Sequence, residues 1–197
     1  MAALSKQTTE VTVRKLQRSD MIRFLKWGHH QDVRFQHYDF PAYNYEELQL
    51  WYQSKSKFLR RFIYIAEDQS GNLLGYMTIK HINWLKQRAE MGIVFNPDLV
   101  GKGFGTASIK ALYHIYFNHL KMKSLYLKVA DFNTRARRCY EKAGFIEIGE
   151  QVEPFEEQER NFELLLKTDD FFMRKNVLYT LFHYMEITKE QWKQMDK

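Results

Sequence analysis

The sequence predicts an α/β fold with a mixed, mostly antiparallel central sheet flanked by helices. Three β-forming runs lie between residues 61 and 95 and are separated by short turn-rich connections, so they pair antiparallel. A glycine-rich bend after the third run opens a strand–helix–strand–helix–strand order. With 197 residues, 45% of them hydrophobic, the chain can bury one sizeable core as a single domain, and no repeat or Pro/Ser linker divides it.

Taken in order, residues 10–16 alternate and read as a first strand. Ser19-Asp20 can cap a helix with Met21, Phe24 and Leu25 inward, closed by Gly28. Residues 29–45 are rich in His and aromatics and are interrupted by Pro41. Asn44 caps the next helix, whose apolar face is Leu48, Trp51 and Tyr52. Residues 61–67 and 73–82 are hairpin strands about the turn 68–72, and 87–95 is the strand that feeds the glycine bend. The helix beyond the bend ends near Lys121, and 124–129 is a short buried strand. Asn133 caps a helix over 134–143, Gly144 ends it, and 145–149 alternates again. The core so defined spans about 10–150; residues 151–197 hold further strands and a helix. Within them, 159–167 suits a strand or a helix start, 168–176 has no clear pattern, and 177–186 is a last strand. Thr188 and Gln191 form a capping box for a terminal helix carrying Trp192.

Composition narrows the function. No apolar run reaches the roughly 20 residues of a membrane span, and Met1-Ala-Ala-Leu-Ser-Lys lacks a signal peptide's apolar core. The single Cys139 rules out an internal disulfide and a cysteine-cluster metal site, and no metal is expected. A reducing, cytoplasmic setting follows as the default. The net charge is +6, which suits solubility, a polyanionic cofactor or nucleic acid. No basic run reaches five residues and no nucleic-acid motif appears, so neither nucleic acid nor a membrane is an expected partner.

Two stretches carry the chemistry. In the first, Ile93, Val94 and Phe95 end a strand, Asn96-Pro97-Asp98 stops it, and Gly101, Gly103 and Gly105 fall on alternate positions before a helix. Glycine lets backbone amides turn inward, and a helix start adds unpaired N–H groups and a positive dipole end. Together they make a nest for a diphosphate. The spacing is neither G-x-G-x-x-G nor a P-loop. In the second, Asn133-x-x-Ala136-x-x-x-Tyr140 precedes Gly144-Phe145, and Asn133 and Tyr140, two helical turns apart, share a face.

In combination these stretches resemble the two cofactor motifs of the GNAT superfamily of acyl-CoA-dependent N-acyltransferases. Val100-Gly101-Lys102-Gly103-Phe104-Gly105 lies over the superfamily's Arg/Gln-x-x-Gly-x-Gly/Ala pattern, with Val100 departing at its first position. Ile187 and Trp192 also match a spacing common there. The resemblance implies transfer of an acetyl group from acetyl-CoA directly to an amine of a small molecule or peptide. It implies that the 101–106 loop, Thr106 included, holds the pyrophosphate, and that the edge near Met91 to Phe95 pairs with the pantetheine arm. Asn133 and Ala136 belong to the implied cofactor site. Tyr140, protonated at neutral pH, is the implied acid for the leaving thiolate. Glu90 is the implied acceptor of the amine's proton, with His37, His81 and His183 as further candidates, and positioning alone can supply much of the rate. Cys139 reads as a buried filler. The acidic stretch 147–163 and the aromatic run 29–45 flank the acceptor groove by analogy, and the former would attract a cationic amine. Superfamily members often dimerise, and an exposed last strand would allow a homodimer. A catalytically silent coenzyme-A-binding domain stays open on the same residues.

Overall fold

The computed structural model describes residues 10–56 and 61–195, so the N-terminal reading at Met1 to Lys6 lies outside the described residues. Among the described residues eight strands form one sheet in the order β1-β2-β3-β4-β5-β8-β6, with β7 also paired to β8. The strands are β1 Val11–Lys15, β2 Phe62–Asp68, β3 Leu73–Asn83, β4 Arg88–Phe95, β5 Ser124–Ala130, β6 Ile146–Pro154, β7 Phe172–Arg174 and β8 Val177–Thr188. The helices are α1 Tyr45–Ser56, α2 Phe104–Tyr113, α3 Thr134–Ala143, α4 Phe162–Leu165 and α5 Lys189–Met195. Among the described residues no helix is long and apolar enough to cross a membrane.

Every strand pair is antiparallel except β4 with β5. That parallel ladder runs only from Arg88 opposite Ser124 to Glu90 opposite Tyr126. Beyond it, β4 stays paired to β3 as far as Phe95, and β5 stays paired to β8 as far as Ala130. Each half of the sheet is thus held by its outer neighbour while the middle parts as a wedge.

Side-chain alternation sorts the strands between two cores. On one face Tyr64, Leu74, Met77, Ile79 and Met91 pack against Ile109, Leu112 and Tyr113 of α2, Tyr140 of α3 and Trp192 of α5. On the other, Ile65 and Leu73 pack with Met21, Phe24, Trp27, Phe40, Leu48 and Trp51, and Tyr76 and Val94 line the same layer. Each buried aromatic or aliphatic side chain here contributes about 1.5–3 kcal/mol by leaving water. A third cluster, Phe132, Phe155, Phe171 and Phe182 with Phe35, ties the segment after β6 to the run 29–45.

Several expectations hold and several are corrected. Asn44 accepts from Glu47 N at 2.9 Å, Asn133 accepts from Ala136 N at 3.2 Å, and Thr188 and Gln191 exchange bonds at 2.7 and 3.2 Å. The first helix, however, is a 3-10 segment over Arg18–Lys26. At three residues per turn Met21, Phe24 and Trp27 fall on one buried stripe, which leaves Leu25 37% exposed and places the end at Trp27, before Gly28. Asp20 does serve the start, accepting from Gln17 N at 2.8 Å. The helix after the glycine loop finishes in a π-helical stretch, His114–His119. The strand expected over 145–149 runs on to Pro154, residues 159–167 resolve as the short α4, and 168–176 contains β7 in a hairpin with β8. The last strand is no exposed edge: β8 sits between β5 on one side and β6 and β7 on the other, so it offers no free edge for a homodimer.

Candidate active site

A cleft of about 720 Å³ follows the parting of β4 and β5 through the sheet. Its floor on the first face is the bend after β4. Asn96 accepts from Asp98 N at 3.1 Å and begins a single 3-10 turn over Pro97–Leu99, after which Val100 is extended. Gly101 and Gly103 then take left-handed backbone, φ 82° and 86°, a conformation that a β-carbon disfavours. Gly103 is the N-cap of α2, so the N–H groups of Gly103, Phe104, Gly105 and Thr106 have no acceptor within the helix. Gly105 is required for a different reason. A β-carbon there would stand 2.9 Å from Cys139 Sγ, so its absence lets α2 and α3 pack closely.

Across the wedge, α3 contributes Asn133, Ala136 and Tyr140 to the cleft, together with the cations Arg135, Arg138 and Lys142. Tyr140 is 8% exposed. Burial, then the neighbouring Tyr38 and Cys139, hold its phenol well above the ordinary tyrosine range, so it stays protonated. Tyr38 reaches in from the 3-10 turn Gln36–Tyr38 and is itself pushed up to about 12, chiefly by burial. His37, stacked edge-on to Phe155 at 4.6 Å, also lines the cleft; burial pushes it down to about 4, so it is neutral at pH 7. Arg34 bonds Asp170 at 2.7 Å and, with the Phe35–Phe132 contact, fixes this wall in place.

Of the expected site residues, Glu90, Ile93, Val94, Phe95, Val100, Gly101, Gly103, Gly105, Thr106, Asn133, Ala136 and Tyr140 all line the one cleft. Lys102 and Phe104 do not. The Lys102 side chain stands out from the bend into solvent, and the Phe104 ring packs on the main core, so only their backbones face the loop. Cys139 is a packed filler whose thiol burial pushes up in pKa, and its sulfur lies 3.4 Å from Thr106 Oγ1.

Glu90 is an engaged carboxylate. It meets Lys80 Nζ at 3.0 Å and His81 Nδ1 at 2.8 Å. Burial raises its pKa, but the hydrogen bonds from His81 and Lys80 and the Lys80 charge outweigh it and leave the net shift downward. That makes Glu90 a weak base. His183 lies away from the cleft, between Asp131 at 2.8 Å and Glu147 at 3.1 Å. The acidic stretch is mostly occupied elsewhere. Glu147 meets Arg137, Glu153 meets Lys128 and Tyr184, and Glu157 accepts backbone N–H groups of Glu159 and Arg160; Glu156 alone of that stretch lines the cleft. Residue-by-residue reading missed Arg135, Arg138 and Lys142, although their spacing after Asn133 is a helical stripe of positive charge. It also missed Trp51, Lys55, Tyr76 and Lys80 as cleft residues, because α1 and β3 reach the wedge only through the sheet.

A nest of helix-start amides facing a tyrosine across a split between parallel strands defines a coenzyme-dependent acyl-transfer enzyme. The chain belongs to the GNAT acetyltransferases: the family model for the acetyltransferase (GNAT) domain matches residues 10–146. It is an acetyltransferase that moves an acetyl group from acetyl-CoA to an amine. A spermidine N(1)-acetyltransferase of Vibrio cholerae is 29% identical over 147 residues, 75% of this chain and 85% of that one. An aminoglycoside N(6')-acetyltransferase type 1 of Klebsiella pneumoniae is 32% identical over 77 residues, 36% of this chain and 38% of that one. Among solved structures, a chimera of the Vibrio cholerae spermidine N-acetyltransferase and hSSAT superposes with a TM-score of 0.68 at 25% identity, covering 94% of this chain and 99% of that one.

Proposed function

We propose that the described chain acts as one catalytic domain in which acetyl-CoA enters from the α2–α3 face and the amine from the opposite face. The observation that carries this is the end of the β4–β5 ladder at Glu90 and Tyr126, which leaves the β4 backbone from Met91 to Phe95 without its β5 partner beside the amides of α2. The pyrophosphate sits on the N–H groups of residues 103–106, with Arg135, Arg138 and Lys142 drawing the remaining phosphate. The pantetheine arm pairs with the open edge of β4 as an added strand. This places the thioester at the narrow end of the wedge.

The attack then needs few groups. The neutral amine adds to the thioester carbonyl, the C–S bond breaks, and Tyr140 gives its proton to the departing thiolate. The protonation state supports that role, since the phenol remains intact across the physiological range. Glu90, fixed and anionic, holds the incoming amine beside Lys80, and the proton of the attacking nitrogen is lost to water. The acceptor is an amine of a small molecule or peptide, and the absence of disulfides is consistent with a reducing, cytoplasmic setting.

Thiol release from acetyl-CoA over a pooled panel of small amines and short peptides tests this. Turnover in the wild type, with retained acetyl-CoA binding and slowed turnover in Tyr140→Phe, is expected. Wild-type binding without turnover on any amine would remove the catalytic reading.

A further inference from the structure

The acceptor half of the cleft has a chemistry of its own. Alternation puts Tyr76, Thr78 and Lys80 of β3 and Glu90, Gly92 and Val94 of β4 on the face away from α2 and α3. The opposing wall is α1, where Lys55 follows Trp51 by one turn and lies over its ring at 5.9 Å. Arg61, just before β2, completes the rim. Lys80 is matched by Glu90, which His81 also holds. Lys55 is half-buried and has no carboxylate partner among the described residues. Its pKa is lowered by burial first and then by the positive charges of Arg61 and Lys80, so the three cations crowd one another. A shallower depression of about 140 Å³ shares Lys55 and Arg61 and adds Lys15, which carries the positive rim outward from the cleft.

A partly desolvated lysine without a counter-ion, pressed by like charges in a substrate cleft, is stabilised by a bound anion. In the arrangement proposed above, the coenzyme's own phosphates fall to Arg135, Arg138 and Lys142 of α3, which line the other side of the cleft. We propose that Lys55, with Arg61 and Lys80, forms an anion subsite in the acceptor half, and that the preferred acceptor is an amine that also carries a carboxylate or a phosphate. This rests on the assignment of that face to the acceptor. It sets the chain apart from a site tuned to purely cationic amines: the basic rim repels a second ammonium group and orients an acidic one, leaving the amine pointed at Glu90 and the wedge.

Matched acceptors test it. Lysine is compared with 1,5-diaminopentane, and O-phosphoethanolamine with ethanolamine, with spermidine as a wholly cationic probe. The anionic member of a pair is expected to show kcat/KM at least about tenfold higher, carried by KM, equivalent to about 1.4 kcal/mol. Which pair responds tells carboxylate from phosphate. Lys55→Glu, with Lys55→Gln as the milder variant, is expected to lose about that factor for the anionic acceptor, to leave ethanolamine within about threefold and to improve the use of diaminopentane and spermidine. Equal or better use of spermidine and diaminopentane, unchanged in both Lys55 variants, would overturn the subsite while leaving acetyl transfer intact. A second readout is independent of turnover. With coenzyme A saturating, inorganic phosphate is titrated while Trp fluorescence is followed. A saturable change that Lys55→Glu abolishes supports the subsite even if no panel amine is acetylated, an outcome that would fault the acceptor reading instead. No change in the wild type at millimolar phosphate counts against the subsite.

Discussion

Replacing Tyr140 by Phe removes one oxygen from a ring that is 8% exposed and packs edge-on to Phe145 at 6.0 Å. The ring and its apolar contacts remain, so the folding cost is that of a single hydroxyl, about 1 kcal/mol or less. In the proposed arrangement acetyl-CoA is held by the amides of α2 and the cations of α3, so its binding should stay within about threefold. The loss falls on the chemical step. A positioned general acid contributes about 10²–10⁴ in rate, or about 3–5 kcal/mol of barrier. Thiol release at saturating acetyl-CoA should therefore show kcat reduced by about 10² or more with KM for acetyl-CoA nearly unchanged. The pH dependence adds a second check. The acid works protonated, and burial raises its pKa above the ordinary value near 10. No alkaline loss of kcat assignable to this phenol should then appear below pH 10. A kcat in Tyr140→Phe within a factor of about three of wild type would refute the role.

Other consequences are direct. Gly103→Ala forces a β-carbon onto a residue at φ 86°; it should cost about 1 kcal/mol of stability by thermal melting and raise the dissociation constant for acetyl-CoA about tenfold by calorimetry. Asp20 is 4% exposed and bonds Arg14 at 2.7 and 2.8 Å and Arg23 at 3.2 Å; its removal in Asp20→Ala should cost about 3 kcal/mol in urea unfolding. Burial raises the Asp20 pKa, but Arg14 and the Gln17 N–H outweigh it, so the folded pKa is depressed. Its contribution is present above the unfolded value near 3.9 and is lost as pH falls through the folded one, so the wild-type advantage over Asp20→Asn should shrink below about pH 4. For His37 the sign follows from a folded pKa of about 4 set by burial, below the unfolded value near 6.5. The unfolded chain takes up the proton first, so melting temperature should fall as pH drops from about 6.5 to 4, and His37→Phe should flatten that slope.

Much of the fold is legible along the chain because its determinants are local. Hairpin turns, the caps Asn44, Asn133 and Thr188 with Gln191, and the left-handed Gly144 act within a few residues of the backbone they shape. The glycine bend and Tyr140 share that legibility, since helix-start amides and a two-turn spacing are geometric facts of the segment. Regions where distant contacts decide were not readable. The stripe Met21, Phe24 and Trp27 needs three residues per turn, set by aromatic packing against Phe40 and Tyr76. Within 168–176, Phe172–Arg174 become a strand only because β8 offers them an edge.

The sequence by itself determined most of the elements and the glycine bend that opens α2, because these are written in short-range backbone chemistry. Only the tertiary structure decided the cleft and the state of the groups that line it. The parting of β4 from β5, the burial that keeps Tyr140 protonated, the engagement of Glu90 by Lys80 and His81, and the meeting of Lys55, Arg61 and Lys80 at one mouth all join residues far apart in the chain. Desolvation and charge proximity are properties of assembled surfaces, and no spacing along one segment records them.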